Sequence, residues 1–196
     1  MLSAATGYLL LKIDQVMIKF YLKEASVGLY AVAVKLSEAW YFIPGIICAS
    51  VFPAIINAKK TNEEIYSKRL EKLYIFLSGT ALSIAIFITI FAPWIIKLLY
   101  GVEYLGSVQI LQIYVWSGIG LFLSVGINKY FMTENNLKAI FAYNLSAVTA
   151  NIILNIILIP KIGLNGAAWA TLISYSIGPI IVFTMAKFKI LKKYEK

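Results

Sequence analysis

The sequence contains no histidine and only one cysteine, Cys48. Without histidine, the chain lacks the commonest general base, the commonest zinc ligand and the usual pH switch. A single cysteine excludes an internal disulfide framework and a cysteine-based metal site. The sequence also has no glycine-rich phosphate loop, which argues against ATP as an energy source. We therefore predict a protein that is not an enzyme and that holds no metal and no cofactor.

Charged residues are also scarce, at 14% of the 196 residues, whereas 61% are hydrophobic and the mean hydropathy is +0.82. Soluble domains carry about 25% charged residues, so this composition is typical of an integral membrane protein. A spanning helix needs about 20 mainly apolar residues to cross about 30 Å of hydrocarbon. Six segments meet or approach that requirement, at residues 3–22, 27–56, 71–99, 107–132, 138–159 and 164–187. The sequence predicts an all-α fold in which residues 1–196 form one bundle of six transmembrane helices.

The basic residues are distributed unevenly between the connections. Residues 57–72, 133–138 and 187–196 hold eleven cations, whereas the alternate connections hold only Lys23 and Lys161. Positive charge is retained on the cytoplasmic side of a membrane, so both termini are predicted to be cytoplasmic. Membrane topology thus explains the net charge of +9 without a nucleic-acid partner. The membrane lipids themselves, including anionic headgroups, are the expected partners of the basic segments.

Five charged residues lie within the first two predicted helices: Lys12, Asp14, Lys19, Lys35 and Glu38. A charged side chain at the centre of a spanning helix costs about 2.5–3.5 kcal/mol, so these groups must face a partner or water. Counted from the turn between the helices, Asp14 and Lys35 lie at similar depth, as do Lys12 and Glu38.

Two interpretations of these charges stay open. They form either ion pairs that hold two helices together or the wall of a hydrated cavity for a polar or anionic substrate. The surplus of one positive charge favours the cavity. Lys129, near the end of the fourth helix, adds a further cation to this cavity unless it extends to the headgroups. Near the C-terminus, Asn151 and Asn155 lie four residues apart on one face, where their amides are expected to bond across helices.

Three stretches of the chain, residues 12–38, 98–117 and 151–176, resemble successive parts of the C-terminal half of polysaccharide flippases. The first pairs an aspartate in one helix with a glycine-tyrosine turn, the second resembles the link between the third and fourth helices, and the third resembles the last helical pair. The sequence is therefore similar to the multidrug/oligosaccharidyl-lipid/polysaccharide flippase superfamily, most closely to its O-antigen and capsule-repeat flippases.

This resemblance implies one half of a transporter of twelve to fourteen helices in the inner (plasma) membrane. Such a protein moves an undecaprenyl-pyrophosphate-linked oligosaccharide between leaflets by alternating access of two six-helix bundles. A missing N-terminal half or a second subunit is then an expected partner, whether Met1 is the true start or the chain is a fragment. By position, the five charged residues of the first two helices line the substrate cavity.

Three alternatives remain at this point. A drug or cation exporter of the same superfamily requires an acidic or aromatic cavity, which the surplus lysines do not favour. A membrane enzyme of glycan assembly usually requires a large external loop, and the connections here are short. A structural membrane subunit that does not transport would use the helix charges to pair with another protein.

Overall fold

The structure, a computed structural model, describes residues 13–22 and 24–194, with side chains described as far as residue 184. The elements in this part of the chain are all helical. They are α1 (residues 13–21), α2 (Glu24–Glu38), α3 (Ile43–Thr61), α4 (Glu63–Tyr100), a short 3-10 turn (Val102–Tyr104), α5 (Ser107–Tyr114), α6 (Ser117–Thr133) and α7 (Leu137–Tyr194). Residues 3–12 of the first predicted helix lie outside the described residues.

Within the described residues, four stretches are long and apolar enough to cross a membrane: Glu24–Thr61, Glu63–Tyr100, Ser107–Thr133 and Leu137–Thr184. Their outer surfaces are apolar as well. Trp94 and Leu98, for example, are 78% and 84% exposed. Exposed apolar surface on this scale is unfavourable in water and matches a hydrocarbon environment. The protein is therefore an all-α, multi-pass membrane protein.

Prolines explain where the first long span bends. The sequence predicts one helix over residues 27–56, interrupted by Pro44 and Pro53. The structure breaks this helix in the turn at residues 39–42, so that Pro44 lies in the first turn of α3. A proline fits there because the first turn of a helix does not use its backbone N–H groups. Pro53 lies inside α3 without ending it.

The predicted loop at residues 57–72 is wrong. α3 continues to Thr61 and α4 begins at Glu63, so only Asn62 separates them. The Asn62 side chain caps α4 by accepting hydrogen bonds from the backbone N–H groups of Glu64 at 2.8 Å and Ile65 at 3.1 Å. Capping of this kind satisfies the first N–H groups of a helix and lets it begin without a loop. At about 1.5 Å per residue, α4 is about 57 Å long and extends beyond the bilayer.

α7 is folded back on itself. Its helical geometry fails at Ile162 and Gly163, where Gly163 has φ 62° and ψ −138°. Only glycine adopts this backbone conformation without strain, because it has no Cβ. The two limbs, residues 137–161 and 164–194, run antiparallel, since Asn151 bonds to Ser174 at 3.4 Å while Gly166 lies against the Leu158 carbonyl nearer the bend. The predicted helices at 138–159 and 164–187 correspond to these limbs.

The remaining elements pack around α7 and α4. α7 contacts both α5 and α6, and α4 contacts α3, α5 and α6. The largest buried side chains include Tyr30 and Tyr114, whose rings meet edge to face with centroids 5.9 Å apart. This aromatic pair lies directly beside the polar cluster described next.

Candidate functional site

Asp14 lies at the centre of a buried polar cluster. Its carboxylate accepts hydrogen bonds from the Tyr30 hydroxyl at 2.8 Å, from the Asn155 amide at 2.8 Å and from the Thr171 hydroxyl. The residue is only 2% exposed. A single carboxylate therefore connects α1, α2 and both limbs of α7.

A second layer of polar side chains surrounds these partners. Asn155 also donates to the side-chain oxygen of Asn151 at 2.9 Å, and the Asn151 amide reaches Ser174 at 3.4 Å and Thr171 at 3.5 Å. Asn151, Asn155, Thr171 and Ser174 are all fully buried. The expectation that the two asparagine amides bond across helices is confirmed. We call Asp14 together with Tyr30, Asn151, Asn155, Thr171 and Ser174 the Asp14 cluster.

The Asp14 cluster is rich in oxygen atoms. Besides the carboxylate, it contains hydroxyl oxygens and two amide oxygens, and that of Asn155 has no hydrogen-bond partner among the described residues. Carboxylate, carbonyl and hydroxyl oxygens are the ligands that hard cations prefer, and a carboxylate also binds a proton. The described residues contain no group of three or more histidine, cysteine, aspartate or glutamate side chains for a larger metal centre. The chemistry available here is the binding of one proton or one small cation.

The other predicted site residues lie elsewhere. Lys19 pairs with Glu24 at 3.6 Å on the surface, and Lys35 is exposed on α2. Glu38 is half-buried at the end of α2. Lys129 places its ammonium 5.0 Å from the centroid of the Phe52 ring. Lys12 lies outside the described residues.

The predicted match in depth between Asp14 and Lys35 does not produce a contact. Asp14 points into the bundle, where hydroxyl and amide groups donate to it, whereas Lys35 lies on an exposed face. Lys35 is eleven residues from Glu24, or about 16 Å along α2 at about 1.5 Å per residue. This places an exposed lysine about a third of the way along the apolar span Glu24–Thr61.

A second polar group ties the helices together at one end of the bundle. The Lys59 ammonium pairs with the Glu134 carboxylate at 2.8 Å and donates to the Thr133 carbonyl at 2.8 Å. The Tyr66 hydroxyl donates to the same Glu134 oxygen at 3.0 Å. The predicted connections at 57–72 and 133–138 therefore meet at one end, as their shared basic character requires.

Replacing Glu134 with glutamine is expected to lower the free energy of unfolding by about 0.5–1 kcal/mol, because the ion pair is only partly shielded from water. The expected loss in the free energy of unfolding is small because the side chains of Lys59 and Glu134 are 30% and 35% exposed. Unfolding in mixed detergent micelles measures the change. The control is Glu64→Gln, which removes an exposed pair with Lys68 at 2.7 Å and is expected to have no measurable effect. Equal effects of both variants would contradict the prediction.

Sequence reasoning missed three members of the Asp14 cluster, namely Tyr30, Thr171 and Ser174. A signal for two of them was present. The two limbs of α7 meet at Gly163, so residues at about equal distances before and after this turn face each other. This pairing places Asn151 opposite Ser174 and Asn155 opposite Thr171. Tyr30 belongs to the glycine-tyrosine pattern of residues 12–38, which was interpreted as a turn, whereas the structure places this residue inside α2.

Comparison with known proteins identifies relatives of the chain. A family model described as "Polysaccharide biosynthesis protein" matches residues 1–109. Two relatives come from Haloferax volcanii. The probable flippase AglR is 25% identical over 178 residues, which cover 86% of this chain and 36% of that protein. The probable low-salt glycan biosynthesis flippase Agl15 is 24% identical over 180 residues, covering 91% of this chain and 38% of that protein.

A solved structure shows a similar fold. It is an outward-facing multidrug resistance MATE family transporter of the MOP superfamily, with a TM-score of 0.76 and 15% identity. The similarity covers 92% of this chain and 41% of that chain. At this identity it shows the fold alone. This chain spans just over a third of the length of the two flippases. The two relatives are both named as probable flippases, which are transport proteins rather than enzymes.

Proposed function

Because the chain belongs to this polysaccharide biosynthesis protein family of flippase-type proteins, we propose that it is one half of a flippase for a lipid-linked oligosaccharide. In this proposal it forms the C-terminal six-helix bundle, and a second bundle completes the transporter. The substrate is an undecaprenyl-pyrophosphate-linked repeat unit for O-antigen or capsule, which crosses the inner membrane by alternating access. Both Haloferax volcanii relatives are named as probable flippases, and the name of one of them, a glycan biosynthesis flippase, supports a glycan as the substrate.

The proposed topology has six crossings. α1 makes the first, α2 with α3 the second, α4 the third, α5 with α6 the fourth, and the two limbs of α7 the last two. Both termini are then cytoplasmic, on the side where the basic segments lie. The ion pair between Lys59 and Glu134 supports this arrangement because it joins two of those basic segments at one end of the bundle.

The observation that carries the proposal is the exposed position of Lys35. An ammonium group facing lipid near the middle of a membrane costs about 2.5–3.5 kcal/mol, so this face of α2 must meet water or protein. Gly28, two turns earlier, and Glu24 are exposed on the same helix. A water-filled cavity between two halves provides the required environment, and a cation there attracts the pyrophosphate of the substrate. Lys12, Lys19, Glu38 and Lys129 are the other predicted members of this cavity wall.

In the same proposal, Asp14 couples transport to an ion gradient. The Asp14 cluster holds oxygen atoms from α1, α2 and α7, so a proton or small cation bound there changes the attraction between those helices. Lys35 lies on α2, five residues after Tyr30, and therefore moves with one of the helices that the cluster connects. A change at the buried carboxylate can then reach the cavity face.

Export of glycan in living cells tests the proposal. The complete open reading frame that contains this chain is expressed in a host strain. That strain lacks its own glycan flippase and supplies the lipid-linked repeat unit. We expect surface glycan to return. Because a charge-assisted contact contributes about 1.5–3 kcal/mol, Lys35→Gln is expected to reduce export about tenfold or more.

The matched control is Lys60→Gln, which removes an exposed lysine at the end of α3, outside the proposed cavity. It is expected to leave export unchanged at equal protein level. If glycan stays inside the cell with the unaltered protein, or if both lysine variants behave alike, the proposed function is wrong.

A further inference from the structure

An open groove runs between α3 and α4 on the outer surface of the bundle. It has a volume of about 640 Å³. Its walls are almost entirely apolar and include Ile46, Val51 and Ala54 from α3 and Phe76 from α4. Ile46, Val51 and Phe76 are 59%, 38% and 60% exposed, so the groove is open to the surroundings rather than filled by neighbouring side chains.

Two cations close one end of this groove. Arg69 and Lys72 both line it, three residues apart on α4, and both are exposed. The Arg69 guanidinium donates to the carbonyl oxygen of Ala54 on α3 and is thereby fixed at the level of that residue. None of the ion pairs between described residues involves Arg69 or Lys72. The groove therefore combines a long apolar wall with positive charge at one end.

The length of the groove matches a single leaflet. From Ala54, where Arg69 is held, the apolar wall continues to Ile46, eight residues or about 12 Å away at about 1.5 Å per residue. Half of the hydrocarbon core of a bilayer is about 15 Å thick. An apolar chain that begins at Arg69 and Lys72 and follows this wall thus ends near the bilayer centre.

We propose that the groove binds an anionic phospholipid, with its phosphate between Arg69 and Lys72 and one acyl chain against α3. Basic sites between helices on the cytoplasmic side attract such headgroups. The long polyprenyl chain of a flippase substrate would extend beyond a groove of one-leaflet length, and an apolar partner helix would leave the two cations unmatched. The inference goes beyond the proposed function because it requires only that the protein is inserted in a membrane.

Photo-crosslinking in nanodiscs tests this site. The purified protein is placed in phosphatidylcholine nanodiscs that contain a small fraction of phosphatidylglycerol with a photoreactive acyl chain. Mass spectrometry then compares labelling of residues 46–55 and 73–76 with labelling of the lipid-facing surface around Ile90 and Trp94, which are 63% and 78% exposed. We expect the groove to be labelled preferentially, and photoreactive phosphatidylcholine to show no such preference.

Three variants sharpen the result. Lys72→Gln is expected to reduce groove labelling about fivefold, the effect of one basic residue near a membrane surface. Ser50→Phe is expected to remove it by filling the groove. Lys68→Gln, one turn away and paired with Glu64, is the matched control and is expected to change nothing. Circular dichroism and gel filtration confirm that each variant is folded.

Several labelling results would contradict the proposed phospholipid site. Equal labelling by both lipids, or groove labelling that persists in Ser50→Phe, would overturn the proposal. Absence of groove labelling by either lipid would show that protein covers the groove. Displacement of phosphatidylglycerol by an equimolar polyprenyl pyrophosphate would assign the groove to the flippase substrate instead of a phospholipid.

Discussion

Replacing Asp14 with alanine is expected to lower the free energy of unfolding of the bundle by about 2–5 kcal/mol. The substitution removes the common acceptor of the Tyr30, Asn155 and Thr171 donors, which are all fully buried. Hydrogen bonds between membrane helices contribute about 0.6 kcal/mol on average and about 1.7 kcal/mol at most, and three of them set this range. Asn155 and Thr171 each also donate to a second acceptor, the Asn151 side chain and the Ala167 carbonyl respectively, which keeps the expected loss within this range.

Unfolding in mixed detergent micelles, followed by circular dichroism, measures this loss. The control is Gln15→Ala, on the same helix and only half-buried, for which we expect a change of less than about 1 kcal/mol. Similar losses for the two variants would show that the Asp14 cluster does not stabilise the bundle.

Asp14→Asn separates the two proposed roles of this residue. Asparagine keeps the shape of the side chain and one acceptor oxygen, so the protein is expected to fold with a smaller loss of stability than Asp14→Ala. It cannot carry the negative charge that binds a proton or cation. Export driven by an ion gradient is therefore expected to stop in Asp14→Asn at normal protein level, and undiminished export would remove Asp14 from the coupling mechanism.

Replacing Gly166 with alanine is expected to destabilise the hairpin of α7 by about 3 kcal/mol or more. A Cβ atom at this position would lie 2.3 Å from the carbonyl oxygen of Leu158 and 2.5 Å from its carbonyl carbon. Backbone atoms cannot rotate away as a side chain can, so the two limbs must separate. Overpacking in a core costs about 1–3 kcal/mol even where side chains can adjust. Gly120→Ala is expected to behave similarly, since its Cβ would lie 2.4 Å from the Tyr175 carbonyl oxygen.

The control for these variants is Gly79→Ala, which is expected to raise the stability of the protein rather than lower it. A Cβ at Gly79, in α4, has no atom within 4 Å. Gly79→Ala is therefore expected to stabilise the protein by about 0.5–1 kcal/mol, because alanine favours a helix over glycine by that amount. Denaturation midpoints of the three variants in the same detergent test both signs, and a stable Gly166→Ala protein would contradict the close approach of the two limbs.

The helical, membrane-spanning character of the chain could be predicted from the sequence, but several helix ends could not. Composition and length decide whether a segment enters a bilayer, and these are local properties. Residues 57–72 were predicted to be a loop because they are highly charged. Lysine, arginine and glutamate are nevertheless good helix formers, and the end of each helix there is determined by the cap at Asn62. Charge thus carries a prediction of the side of the membrane on which these residues lie, which stays a prediction, and it does not determine their backbone structure.

The site was harder to predict than the fold. Asp14 was identified because a carboxylate in an apolar segment demands a partner. Its partners on α7 lie 141 and 157 residues further along the chain, and neither periodicity nor composition reveals which helices pack together. The asparagines at 151 and 155 were correctly predicted to bond across helices because their spacing is a local feature. The exposure of Lys35 depends on how α2 packs against the other helices, and the local sequence pattern does not predict this packing.

The distance along the chain between Asp14 and Thr171 also has a consequence for biosynthesis. A ribosome adds about 5–20 residues per second, so the 157 residues between them take about 8–30 s to synthesise. During this interval α1 and α2 are already made, while Asn155 and Thr171 do not yet exist. The nascent protein must therefore keep a carboxylate in the membrane, or at its edge, without its final partners. The α7 hairpin thus supplies partners to a helix that was made well before it, and a polypeptide that stops before residue 150 is expected to be retained by the insertion machinery and degraded.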